Sequence, residues 1–159
     1  MRRYLDLLTG VFMIRQLPPW FENLGKRQVK APKIYVRDSG LLHALLGISN
    51  QRDREHHPKV GASWEGYAVE EILKALQPDD AYFWATHNGA EIDLVLFRRG
   101  RCIGIECKRS DAPTLIPSMR IALTDLKHDE LHVVYPGEKR CPLAKKIEDL
   151  PLKELVNAR

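Results

Sequence analysis

The amino-acid sequence predicts an α/β (α+β) protein: a mixed sheet flanked by helices, with core order α, β, β, β, α, β. Three observations carry this. A helical apolar period over residues 63–76 is followed by three apolar runs of strand length, 82–85, 91–97 and 102–108. His87-Asn88-Gly89-Ala90 joins the first two runs, and its Asn-Gly pair favours a tight hairpin. A second helical stretch, 115–126, precedes a fourth strand, 131–135, which Pro136-Gly137 stops.

The elements follow from local signals. Tyr4, Leu5 and Leu8 start the chain with a helical pattern, and an apolar stretch, 11–17, runs into Pro18-Pro19-Trp20. Trp20 is a candidate exposed contact for a missing domain. An extended segment, 33–36, leads to Asp38, a natural N-cap for a helix carrying Leu41, Leu42, Leu45 and Leu46 and closed by Gly47. Residues 51–58 are polar and charged and read as a linker or mobile loop. The helix over 63–76 takes Ser63 as its N-cap, with Pro78 beyond its end. Arg98-Arg99-Gly100-Arg101 turns the second strand back onto the third, and Pro117 sits in the first turn of the next helix. The tail holds a short extended piece near 147–150 and a terminal helix. The chain thus divides into 1–50 and 60–159.

Composition narrows the function classes. A chain of 159 residues, 44% hydrophobic and 29% charged, buries a real core and is unlike a disordered one. No apolar run reaches the ~20 residues a membrane helix needs, and the Met1-Arg2-Arg3 start lacks a signal-peptide pattern. Three cysteines without metal-ligand spacing fit a reducing, cytoplasmic setting. The net charge of +4 is compatible with nucleic acid as partner. Basic residues cluster at Lys26-Arg27, at Arg52 to Lys59, at Arg98-Arg99 with Arg101, at Lys108-Arg109 and at Lys139-Arg140. Most read as solvated surface. Arg98, Arg99, Arg101 and Arg109 are the candidate nucleic-acid contacts, because they adjoin the acidic strands.

Those strands carry the chemistry. In Ile105-Glu106-Cys107-Lys108, strand alternation points Glu106 and Lys108 to one face and Cys107 to the other. Asp93 lies on the preceding strand. At about 100° per residue, Glu65 falls in the middle of the helix stripe formed by Ala68, Val69, Ile72, Leu73 and Leu76, with Glu70, Glu71 and Lys74 on the opposite, solvent face. A carboxylate there costs several kcal/mol unless paired or metal-bound. A buried Glu65–Lys108 ion pair would explain one acid; it leaves Asp93 and Glu106 in mutual repulsion. Hard carboxylate oxygens suit Mg²⁺ or Mn²⁺. Asp93 and Glu106 are the expected ligands, with the Cys107 backbone carbonyl, and Glu65 as a further ligand or the holder of a bound water. Lys108 is placed to orient an attacking water or to stabilise developing negative charge. Phosphodiester hydrolysis is the expected chemistry.

The αβββαβ order with Glu65, Asp93 and Glu106-Cys107-Lys108 resembles the PD-(D/E)XK nuclease superfamily, with Ile92 where a proline often precedes the Asp. The resemblance implies metal ligands at Asp93 and Glu106, a catalytic Lys108 and a helical acid at Glu65. Tyr4 to Leu8, Leu17-Pro18-Pro19-Trp20, Pro32-Lys33-Ile34-Tyr35, Asp38 to Leu42 and Gly61 to Leu73 further resemble an uncharacterised C-terminal domain of predicted prokaryotic AAA-type ATPases. This implies an ATPase module in cis and a partial winged-helix-like segment in 1–50, so that the chain is expected to be a fragment or a truncated gene product. No Gly-x-x-x-x-Gly-Lys-Ser/Thr loop is present, so no ATP hydrolysis is expected of this chain itself. Apolar surface left by an incomplete module implies self-association into a homo-oligomer. A non-catalytic binding module that regulates or targets the ATPase is the alternative reading.

Overall fold

The structure, a computed structural model, describes residues 2–21 and 31–157. The Lys26-Arg27 cluster lies outside the described residues. The chain begins with α1 (Arg2–Gly10), a ribbon of β1 (Ile14–Leu17) and β2 (Lys33–Val36), and α2 (Ser39–Leu45). The Asp38 carboxylate accepts from Leu41 N–H at 2.6 Å, and Gly47 takes φ +70 just past the helix end. Both signals act as read, because cap and left-handed stop are local.

Residues 51–58 are not a linker. Gln51–His56 form α3, capped by Asn50, whose side chain accepts from Asp53 N–H at 2.9 Å. No residue of this helix is buried, and it holds itself together by the cap and by a Gln51–Glu55 bond one turn apart. The following helix, α4 (Val60–Leu76), starts three residues before the expected cap. Ser63 is therefore inside the helix, where its hydroxyl shares a 2.7 Å hydrogen bond with His43 Nε2.

The strands β3 (Asp80–Ala85), β4 (Glu91–Arg98) and β5 (Arg101–Cys107) form an antiparallel meander. Arg99 and Gly100 both take positive φ, 51 and 76, as a tight hairpin with the native strand twist requires. Helix α5 (Pro117–Asp125), with Pro117 in its first turn, crosses over to β6 (Glu130–Tyr135), parallel to β5. The expected αβββαβ succession is present as a mixed α+β sheet. Beyond it come β7 (Cys141–Ala144), which the sequence did not announce, β8 (Ile147–Pro151) and α6 (Leu152–Asn157). The sheet order is β3-β4-β5-β6-β8-β7.

Helices cover both faces of this sheet. Ala68, Val69 and Ile72 of α4 pack on Leu94, Leu96, Ile105 and Val134; Met119 and Ala122 of α5 pack on Ile92, Val95, Leu131 and Val133. Each such large side chain contributes roughly 1.5–3 kcal/mol on burial. The N-terminal segment closes the β3 edge: Phe83 N–H donates to the Pro18 carbonyl at 3.0 Å, and Trp20 N–H donates to Phe83 O at 2.6 Å. Trp20 is thus no free contact. Its ring lies 5.0 Å from Tyr82 and 4.7 Å from Phe97.

The β1–β2 ribbon also overturns one expectation about α4. Glu70 does not face solvent with Glu71 and Lys74; it is 2% exposed and gripped by Arg15 of β1 and Arg37 just after β2. Burial would raise its pKa, but the two guanidiniums outweigh that and hold it below the usual carboxylate range. The wheel places Glu70 opposite the sheet correctly, but that side of the helix is covered by the ribbon. Gly66 allows the approach: a Cβ there would stand 3.3 Å from the Tyr35 ring.

Candidate active site

Strand pairing positions the acids. The β4–β5 ladder ends at Leu94↔Ile105, one step before Asp93 and Glu106. Beyond it the Asp93 carboxylate replaces the ladder, and its Oδ2 accepts from Cys107 N–H at 2.9 Å. On the other side, β3 and β4 slip register between Tyr82↔Val95 and Trp84↔Ile92. The extra residue in β4 is a bulge, which re-aims side chains near strand ends. Ile92 and Val95 thereby both join the α5-side core, while Leu94 joins the α4-side core and Asp93 meets the surroundings of Glu65.

The link between Asp93 and Glu65 is Lys33, at the start of β2. Its Nζ lies 2.9 Å from Asp93 Oδ1 and 3.0 Å from Glu65 Oε1, and it also pairs with Glu91. Tyr35, two residues on and so on the same strand face, donates its hydroxyl to Glu65 Oε1 at 2.6 Å. Burial alone would lower the Lys33 pKa, but Asp93 and its other polar neighbours hold it above its usual range. Burial raises the Glu65 carboxyl, the Asp93 charge adds to that, and Lys33 and Tyr35 oppose it.

Glu106 and Lys108 share a face, with Lys108 Nζ 2.6 Å from Glu106 Oε1. Cys107 lies opposite, buried in the α4-side core, and burial pushes its thiol well up. The Glu106 side chain is 6% exposed, and its Oε2 is buried without a hydrogen-bond partner. Burial, reinforced by Asp93 and opposed by Lys108, pushes the Glu106 pKa up to about 7. Glu65, Asp93, Glu106 and Lys108 thus share one electrostatic neighbourhood, with Lys33 as the member that sequence reasoning missed.

The arginines do not gather there. Arg98, Arg99 and Arg101 stand at the hairpin tip, about five strand residues or ~17 Å from the acids. Arg101 pairs with Glu130 at 3.1 Å. Arg109 alone adjoins the site, on the exposed loop after β5.

Among the described residues, no three His, Cys, Asp or Glu side chains are arranged to hold a metal ion. Mg²⁺ commonly takes only one or two protein carboxylates and completes its shell with water and phosphate. Asp93 and Glu106 supply hard oxygens of that kind, and the unpartnered Glu106 Oε2 is the atom that best fits a cation. Glu65 is committed in this state to Lys33 and Tyr35.

The fold and site together define an α+β domain with an acid–lysine cluster where two central strands part. The chain belongs to the family described as Domain of unknown function (DUF4143), which matches residues 60–155; residues 1–52 match a second, Domain of unknown function (DUF8612). It is similar to uncharacterised proteins of Mycobacterium tuberculosis and Mycobacterium bovis, each 48% identical over 155 residues, or 98% of this chain. The chain spans 35% of the length of those relatives. No solved structure matches it. No described helix is long and apolar enough to cross a membrane.

Proposed function

We propose that this chain is a nuclease-like domain of the PD-(D/E)XK type, joined in cis to an AAA-type ATPase module in full-length cytoplasmic relatives, and that it hydrolyses DNA phosphodiesters with Mg²⁺ or Mn²⁺. The observation that carries this reading is the Glu106–Lys108 pair beside Asp93, with one Glu106 oxygen buried and unpartnered. A divalent ion at Asp93 and Glu106 would supply an activated water and offset charge on the phosphodiester. Cys107 N–H fixes the Asp93 carboxylate, so that one of its oxygens keeps its direction. Lys108, held by Glu106 and 39% exposed, reaches the solvent side, where it donates to the attacking water or to a phosphate oxygen.

The test is Mn²⁺-dependent cleavage of plasmid and single-stranded DNA by the chain and by Lys108→Ala, with circular dichroism as the check on folding. Loss of cleavage in a folded variant is expected. Cleavage that survives the substitution would sink the assignment.

A second reading is favoured by Lys33, whose ammonium already pairs with the carboxylates of Glu65, Glu91 and Asp93. On it, the domain keeps the scaffold as a non-catalytic module that binds nucleic acid or protein for the ATPase. Mn²⁺ titration separates the two: the first requires binding that Asp93→Asn removes, the second requires none.

A further inference from the structure

A cavity of about 530 Å³ opens between α2, α3, α4 and the loop after β5, lined by none of Glu65, Asp93 and Glu106. That volume is ordinary for a small-molecule site, roughly 300–1,000 Å³. Arg54 of α3 and Arg109 of the loop after β5 both line it. Among the described residues neither guanidinium makes an ion pair, whereas Arg15, Arg37, Arg101 and Arg140 each hold a carboxylate. Asp111 lines the same cavity and pairs with neither arginine. Helix α4 begins at this wall, with no acidic residue in its first turn and no capping side chain, so its positive end is uncompensated.

The remaining wall is aromatic. Trp64 and Tyr67 sit one helical turn apart, with ring centroids 5.9 Å apart and planes inclined at 49°. Trp64 is half-buried: it packs against the α4-side core and also lines the cavity. The buried Ser63 hydroxyl, bonded to His43, adds a polar edge. Two free guanidinium forks match phosphate oxygens, and the rings offer a face to a base.

We propose that this cavity binds one nucleoside phosphate unit of a DNA strand, its phosphate on Arg54 and Arg109 and its base against Trp64 and Tyr67. Arg109 directly follows Lys108 in the chain, so the bound unit is a neighbour of the phosphate that Lys108 would meet. Only that last placement rests on the nuclease reading; the binding itself does not.

The experiment uses the full chain in EDTA, where no metal-dependent hydrolysis occurs. Fluorescence anisotropy of a labelled twelve-nucleotide thymidine strand is measured with the native chain, with Arg54→Ala/Arg109→Ala, and with the charge-matched control Arg3→Ala/Arg120→Ala. All four arginines are exposed, so the folds are retained, as thermal melts would verify. The cavity variant is expected to bind at least tenfold more weakly, with its log K against log salt slope smaller by about 1.4, or ~0.7 per lost phosphate contact. The control is expected to stay within about twofold. Free thymidine monophosphate is expected to compete. Equal losses in both variants, or no strand binding by the native chain, would overturn the proposal. Binding of the free nucleotide without binding of the strand would overturn its DNA assignment. Unchanged binding in the cavity variant alongside intact Mn²⁺ cleavage would remove the cavity and leave the nuclease reading standing; strand binding without any cleavage would do the reverse.

Discussion

Replacing Lys33 with Met removes one ammonium from among three carboxylates and leaves the shape of the side chain nearly unchanged. Breaking a buried ion pair from one side costs about 3–5 kcal/mol, because the remaining charge is left desolvated. Lys33, Glu65 and Asp93 are 22%, 24% and 9% exposed, Glu65 keeps the Tyr35 hydroxyl, and Asp93 keeps the Cys107 N–H. The lower end therefore applies, about 3 kcal/mol, which for a domain of this size lowers Tm by about 6–12 °C. The pH dependence has a definite sign. Without Lys33 the Glu65 carboxyl, already raised by burial and by the Asp93 charge, loses the ammonium that opposes them, so the folded chain binds more protons than the unfolded one in the window between its unfolded and folded titrations. Stability then falls as pH rises through it, and the deficit is larger at pH 8 than at pH 5. Urea denaturation followed by circular dichroism at both pH values measures this. A deficit below about 1 kcal/mol at pH 8, or one that grows on acidification, would refute the reasoning. Mn²⁺ provides a second readout: with the ammonium gone, it should raise the Tm of the variant more than that of the native chain. A site filled to 100 Kd would return about 2.7 kcal/mol.

Glu70→Ala is expected to leave the Arg15 and Arg37 guanidiniums without their carboxylate, to cost about 3 kcal/mol, and to expose the β1–β2 ribbon to limited proteolysis. Since the folded Glu70 pKa is depressed, its contribution is present above the ordinary carboxylate range and lost as pH falls below it. Native chain and variant should thus converge in urea denaturation as pH falls below the ordinary carboxylate range; a constant gap would contradict the clamp. Glu106→Gln should behave in the opposite way, because the folded Glu106 pKa is raised to about 7. The native carboxylate destabilises the fold above its unfolded pKa, so the Gln variant gains up to about 3 kcal/mol at pH 8 and nothing at pH 4. A variant less stable than the native chain at pH 8 would show that the Lys108 ion pair outweighs burial.

What the sequence discloses about this molecule is what neighbours in sequence decide. The Asp38 cap, the Gly47 stop, the Arg99-Gly100 turn and Pro117 at the start of α5 all rest on contacts within a few residues. The facing of Glu106, Cys107 and Lys108 follows from strand alternation. Lys33 escapes because its partners lie 32 and 60 residues away; the available signal was its i, i+2 spacing from Tyr35 at the start of a strand. The bulge at Asp93 escapes because alternation over 91–97 looks unbroken until β3 is laid beside it. Glu70 shows the limit of a helical wheel, which knows one helix and treats every surface not facing the core as water. Strand β7 is half-exposed and carries Pro142, which suits an edge strand and hides it from a search for alternating apolar residues.

Lys33 and Tyr35 fall in the segment of one family, and Glu65, Glu91 and Asp93 in that of the other. The boundary between the two matched segments therefore runs through the middle of an ion cluster. Shifting the N-terminal ribbon by a few ångströms would change the charge felt at Asp93 and Glu65 by one unit, with no ligand entering or leaving. Any displacement of that ribbon would thus be felt at the acids as a change of electrostatic potential.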